Sequence, residues 1–237
     1  MVNHSKKHDE IAKMVEPGKE YQPGEAVSLV KETAKAKFDE TVELHLRMGL
    51  DPRQATQQVR GVALLPHGLG KQIRVAVFAQ GDAGKTAEQA GADVVGADDL
   101  IKRVEEGFTE FDVAIATPDM MAKVGKLGKV LGRKGLMPNP KSGTVVAADD
   151  LPRVIDDSRK GRVEFKLDKQ AIIHVPVGKV SFEVDKISGN LAAIMEAVVR
   201  AKPSGAKGQY IRSATLKSTM GPGVPLDLKA ASAMTTA

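Results

Sequence analysis

Between Phe38 and Asp51 the sequence FDETVELHLRMGLD alternates between two kinds of side chain. Phe38, Val42, Leu44, Leu46, Met48 and Leu50 fall on one side, interrupted only by Glu40, while Asp39, Thr41, Glu43, His45, Arg47 and Asp51 fall on the other. An apolar period of two excludes a helix, whose 3.6-residue turn would smear these side chains around its axis. It predicts a long strand with one face on a core and a polar, ionisable face open to a partner. Asp51-Pro52 ends the strand, because the residue before proline is pushed towards extended or turn conformations.

Around this strand the chain falls into blocks. Residues 1–22 are polar and mixed in charge, a surface arm or short helix. Pro23-Gly24-Glu25 opens a helix to about Lys37, with Ala26, Val27, Val30 and Ala34 spaced to bury one side. Gln57–Leu65 reads as extended and is closed by Pro66-His67-Gly68. From Lys71 the rhythm changes. The short apolar runs at 73–79, around Val94-Val95 and at 112–116 alternate with helical stretches at 86–91, 98–106 and 118–131. Strands buried on both faces and alternating with helices predict a parallel, doubly wound, Rossmann-like sheet over residues 69–158.

The alternating pattern then returns. Arg162–Asp168 places Val163, Phe165 and Leu167 on one side, Asp168-Lys169-Gln170 is short enough for a hairpin turn, and Ala171–Lys179 is the expected return strand. Leu191, Ile194, Met195 and Val198 mark a helical face ended by Lys202-Pro203, and Tyr210–Ser218 is a last strand. Neither flank alone supplies enough strands for a half-buried sheet. The fold class expected is therefore α/β, with a split α+β domain (an antiparallel sheet of about four strands with two helices) from residues 1–68 and 159–228 and the doubly wound domain inserted into it. Chain crossings at about 66–70 and 157–161 would then act as a hinge, and 229–237 would be a disordered tail.

Charge narrows the function. The 237 residues carry a net charge of +5, which favours a polyanionic partner without naming one. Residues 81–119 hold ten acids against three bases, whereas 120–148 has no acid and six bases, and 197–226 no acid and five bases. Without cysteine there is no disulfide framework, thiolate zinc site or thiol nucleophile. No apolar run approaches the ~20 residues of a membrane helix, and the first residues lack the apolar core of a signal peptide. A soluble cytoplasmic protein is expected. Eight aromatic residues and no Trp argue against a single-strand stacking platform.

Three motifs compete. The run 81–86, Gly-Asp-Ala-Gly-Lys-Thr after an apolar strand, ends like a phosphate loop, but that pattern requires glycine where Ala79 stands. Hydrolysis by His45, His67 or His174 finds no serine in a glycine-flanked elbow and no histidine pair at metal-ligand spacing, although His45 and His174 lie on polar strand faces that could meet. No enzyme, cofactor or metal site is expected. The third motif is Lys217-Ser218-Thr219-Met220-Gly221-Pro222, where hydroxyls and a glycine backbone end a basic strand. It is either an ordinary strand end and turn or a close-approach surface for ribose and phosphate.

AKFDETVELHLRMGLDPR (36–53), VRGVALLPHGLGK (59–71), LGRKGLMPNPKSGTV (131–145), VEFKLDK followed by IHVPVGK, and STMGP closely resemble the family of the bacterial ribosomal large-subunit protein one, in order from about residue 4 to residue 226. The resemblance implies a split α/β first domain, an inserted doubly wound second domain and no catalysis. It implies, as partners, the mobile stalk of large-subunit ribosomal RNA beside the exit (E) site, the deacylated tRNA leaving that site, and the protein's own operon mRNA, whose translation it would repress. No membrane partner is expected, and a monomer when free of the ribosome.

Carried onto matching positions, the contact surface implied comprises Lys37, Phe38 and Thr41, then Lys166, Asp168 and His174, and the turn Ser218, Thr219, Met220 and Gly221. Ser218, Thr219 and the Met220-Gly221 backbone are expected to bond ribose and phosphate. Phe38 packs either on a sugar or base or in the core. Lys37 and Lys166 would neutralise phosphate, and Asp168 would accept from a ribose hydroxyl or orient a lysine. Arg133, Lys134 and Lys141, in a Gly- and Pro-rich loop of the inserted domain, are a secondary RNA contact or merely part of a structural loop. The acidic 81–119 segment is expected to face away from nucleic acid.

Overall fold

The computed structural model describes residues 6–234. The chain up to Gly70 supplies α1 (Lys6–Ala12), α2 (Pro23–Thr33), β1 (Thr41–Met48) and β2 (Arg60–Leu64). The segment Lys71–Lys160 supplies β3 (Val75–Phe78), α3 (Asp82–Gln89), β4 (Val94–Gly96), α4 (Asp98–Glu105), β5 (Val113–Ala116), α5 (Met121–Val124), α6 (Gly128–Lys134) and α7 (Leu151–Lys160). From Gly161 follow β6 (Arg162–Lys166), β7 (Ile172–Lys179), α8 (Val184–Arg200), β8 (Ile211–Ser218), β9 (Gly223–Leu226) and α9 (Leu228–Ser232). Two compact units result: Met1–Gly70 with Gly161–Ala237, and Lys71–Lys160.

The split unit is built on β1. Its even-numbered residues Val42, Leu44, Leu46 and Met48 are buried, as the alternation predicts. The strand is shorter than its pattern, because Phe38 lies outside it and is 56% exposed. β1 is one of two inner strands of a four-stranded antiparallel sheet in the order β7-β1-β8-β9. On the buried face lie α2 through Ala26, Val27 and Val30, and α8 through Ile187, Leu191, Ile194, Met195 and Val198. Pro23 occupies the start of α2, where its missing N–H and fixed φ cost nothing. The helix stops at Thr33, four residues earlier than its spacing predicts; the Thr33 hydroxyl donates back to Leu29 and Val30 carbonyls.

Three expectations for this unit need correcting. The strands at 162–168 and 171–179 do not form a regular hairpin in one sheet. β6 pairs with β2 in a separate two-stranded sheet, and only a Leu167–Ile173 bridge joins the base of the turn. Ala171, at φ 61°, takes the chain out of the extended region between them and sends β7 to β1 instead. Second, the region expected to be a disordered tail contains α9. Asp227 caps it, accepting the Lys229 N–H at 2.8 Å, and Ala231 is buried; residues 235–237 lie outside the described residues. Third, β9, broken in sequence by Pro225, pairs with β8 as an edge strand, where a proline is tolerated.

The inserted unit has the parallel order β4-β3-β5. One face packs Ala76, Phe78, Ala114 and Ala116 against Leu100, Ile101 and Val104 of α4 with Met120, Val124, Leu127 and Leu131; the other packs Val75, Val77 and Ile115 against Ala87 of α3 and Leu151, Val154 and Ile155 of α7. Helices on both faces explain why β3 reads as a continuous apolar run rather than an alternating one. The helical stretch expected at 118–131 opens with a 3-10 turn and continues as two short α-helices separated by a second, and it runs on to Lys134. Among the described residues no helix is long and apolar enough to cross a membrane.

Candidate nucleic-acid interface

Of the residues singled out in the sequence, the polar face of the four-stranded sheet carries Thr41 and His174. At its centre His45 of β1 stands opposite His174 of β7 and Thr215 of β8. Glu43 faces Pro176 and Lys217; Arg47 faces Ile172 and Ser213. A bulge opposite Val42 and Glu43 shifts the register of β7, so that Lys179 comes opposite Thr41 and its Nζ donates to the Thr41 hydroxyl at 2.9 Å.

One end of this face joins two segments far apart in sequence. The segment 34–40 leads into β1 and carries Lys37 and Phe38, both exposed. The turn 218–221 leaves β8. Thr219 Oγ1 accepts the Thr41 N–H at 3.0 Å and lies 3.3 Å from the Thr41 carbonyl, to which it donates. Met220 is 62% exposed, while its N–H points inward to Glu40 Oε2 at 2.8 Å. The other Glu40 oxygen, Oε1, accepts the Ala36 N–H at 3.0 Å, and Glu40 is only 1% exposed. Phe38 and Met220 are thus apolar side chains held in solvent by a polar scaffold beneath them. The core alternative for Phe38 is excluded by its exposure.

Ser218 departs from expectation. It is 1% exposed, and its hydroxyl accepts the Gly221 N–H at 3.1 Å. Its role is to close the turn, not to face a ligand. Gly221 is itself buried, and a Cβ there would run into the Ser218 hydroxyl.

At the other end, Asp168 Oδ1 accepts the N–H groups of Gln170 (2.8 Å) and Ile172 (2.7 Å), which holds the turn into β7. Burial works to raise its pKa, but those N–H groups and His174 outweigh it, so the carboxyl titrates below the usual range. Asp168 Oδ2 lies 3.5 Å from His174 Nε2. The rings of His174 and His45 then meet edge to face, with their Nδ1 atoms 2.7 Å apart. Burial, and next His174, push the pKa of His45 below the ordinary histidine value; Glu43 opposes them and Lys217 adds to them. Lys166 is exposed on β6, opposite Arg60 in the two-stranded sheet. It therefore lies on a different sheet from Thr41.

In the inserted unit Arg133 and Lys134 are not in a loop, as expected, but in the last turn of α6, which ends at Gly135 in the left-handed region. Lys134 Nζ donates to the Thr109 hydroxyl. Lys141 is exposed in a short 3-10 turn capped by Asn139, whose Oδ1 accepts the Lys141 N–H at 2.8 Å. The Gly-Lys-Thr run is absorbed by the first turn of α3: Lys85 pairs with Asp82 at 3.1 Å, and the Thr86 hydroxyl donates to the Asp82 carbonyl. Among the described residues no three acidic or histidine side chains cluster to hold a metal ion.

The residues the motifs did not single out are Glu40 and Lys179. Glu40 had a signal, as the one charge on an otherwise apolar strand face. Lys179 had none, because only the bulge turns it to Thr41.

Residues 30–222 match the Ribosomal protein L1p/L10e family. The chain is 63% identical over 234 residues to the large ribosomal subunit protein uL1 of Dehalococcoides mccartyi, covering 99% of each chain. To the uL1 of Chloroflexus aggregans it is 60% identical over 231 residues, covering 97% of this chain and 98% of that one.

Proposed function

Because the chain belongs to the ribosomal protein L1p/L10e family, we propose that it is a structural protein of the large ribosomal subunit that binds the stalk of the large-subunit rRNA through the polar sheet face and its 34–41 and 218–221 end. The observation that carries this reading is the end itself, where Phe38 and Met220 stand in solvent above a turn whose hydroxyl and backbone groups are already ordered. Ordered polar groups beside exposed apolar ones suit ribose and base edges better than phosphate alone.

The roles follow from the bonding inventory. Thr219 Oγ1 donates its proton to Thr41 and accepts one N–H, which leaves one lone pair to accept from a ribose hydroxyl. Phe38 and Met220 pack on a sugar or base, and Ser218 supports the turn from behind. Lys37, Lys166 and Lys179 add phosphate attraction that fades with salt as counterions are released. Thr41, Asp168 and His174 complete the face, with Asp168 holding the β6–β7 turn and orienting His174. Arg133, Lys134 and Lys141 supply a secondary RNA contact.

On the ribosome the protein assists release of deacylated tRNA from the E site, and off it the same face represses translation of its own operon mRNA through a mimic of the rRNA site. These roles require no catalytic step. The test is binding to an isolated stalk fragment of large-subunit rRNA across a salt series, with Thr219→Val alongside. Tight binding that survives moderate salt and weakens at least about tenfold in the variant, about 1.4 kcal/mol, is expected. Weak, steeply salt-dependent binding indifferent to Thr219→Val would leave only a basic surface and overturn the reading.

A further inference from the structure

Glu40 occupies a position that the alternation of β1 reserves for an apolar side chain, and it is buried there. A buried carboxylate is tolerated only when its oxygens are hydrogen-bonded. Both are: Oε1 accepts the Ala36 N–H, and Oε2 accepts the Met220 N–H from 180 residues away. The Glu40 carbonyl in turn accepts the Val180 N–H at 2.9 Å. One residue thus ties the segment carrying Lys37 and Phe38 to the turn carrying Thr219 and Met220. Stability of the core alone does not call for this arrangement, since an apolar residue of similar volume serves a core as well or better.

We propose that Glu40 is the positioning residue of the RNA site: its carboxylate bridge sets the spacing of Phe38 against the 218–221 turn before RNA arrives. This rests on reading that surface as the rRNA site. A bridge already formed in the free protein spares binding the cost of ordering two loops. Glu40 itself, buried beneath them, touches no ligand.

Glu40→Gln tests it, because the amide keeps the shape but has one oxygen to accept an N–H and turns its NH2 towards the other. The expected result is a loss of at least tenfold in affinity for the stalk fragment, with the salt slope little changed and binding measured well below the variant's unfolding midpoint, which the unsatisfied N–H lowers. A positioning residue must also act through its clients. In a chain already carrying Phe38→Ala and Thr219→Val, Glu40→Gln should cost less than about twofold more, whereas independent effects would multiply. An unchanged affinity, or full multiplication, overturns the inference while the RNA reading stands. Wild-type binding that is weak or indifferent to Thr219→Val overturns both.

Amide exchange on the wild-type chain gives an answer even if Glu40→Gln fails to fold. The N–H groups of Ala36 and Met220 should exchange slowly in the free protein and gain little on adding RNA. Fast exchange at either one, slowed only by RNA, would show that RNA rather than Glu40 builds the site.

Discussion

Two imidazoles whose Nδ1 atoms lie 2.7 Å apart need one proton between them. With the Nε2–H of His174 turned to Asp168, the Nδ1 of His174 is bare and His45 is the donor. Charging both rings would leave two N–H groups pointing at each other, which is the local reason the His45 pKa falls beyond what burial does alone. A histidine whose folded pKa is depressed stabilises the fold above its unfolded pKa of about 6.5, and that contribution is lost as pH falls through the lower folded value, because the unfolded chain binds the proton first. Unfolding stability should therefore drop as pH falls from about 7.5 through the unfolded pKa and on through the lower folded one, and His45→Gln should flatten that drop in parallel denaturant titrations. An identical slope in the variant would mean that burial and the neighbouring ring do not lower the His45 pKa. The meeting of His45 and His174 was readable as a possibility from their polar strand faces. The burial of Ser218 and the exposure of Phe38 were not, since each sits at a strand end where alternation no longer says which way a side chain turns.

At the scale of elements, α8 does more than cover the sheet. Its Asn190 is fully buried, accepts the His67 N–H at 3.1 Å, and donates to the Gly68 and Val177 carbonyls at 2.9 and 2.8 Å. One side chain thereby pins the 66–68 turn and β7 to the helix. Asn190→Ala leaves buried partners unsatisfied and should cost about 2–4 kcal/mol, read as a lower urea midpoint; a loss under about 0.5 kcal/mol would mean that water replaces the amide without penalty. The apolar spacing of α8 was plain in the sequence, but Asn190 was not, because a polar residue in a helix gives no sign of whether it faces solvent or a carbonyl. The turn at 168–170 was equally legible, whereas the divergence of β6 and β7 beyond it depended on β2 claiming one strand and β1 the other.

For the molecule as a whole, the two chain crossings of the split unit run against each other. Leu65 N–H donates to the Gly161 carbonyl at 3.1 Å, and a Cβ on Gly161, at φ +119°, would come within 2.5 Å of Gly68 Cα. Two backbones this close leave room only for glycine. Because the split unit closes its own core, replacing residues 71–160 by a short Gly-Ser linker should leave a chain that unfolds cooperatively and binds the stalk fragment within about tenfold of the full protein, about 1.4 kcal/mol. Failure to fold, or loss of salt-resistant binding, would show that the insert completes the unit or its RNA site. Apart from β9 and α9, the strands and helices and the faces they bury could be read from the chain alone, since periods of 2 and 3.6 are local properties of the backbone. The parallel insert was equally legible, from short apolar runs alternating with helices. Only the tertiary structure decided which strand edges meet, that Glu40 turns inward to an N–H 180 residues away, and that Lys179 reaches Thr41. Hydrogen-bond partners of that kind are set by packing between distant segments, and no local pattern carries them.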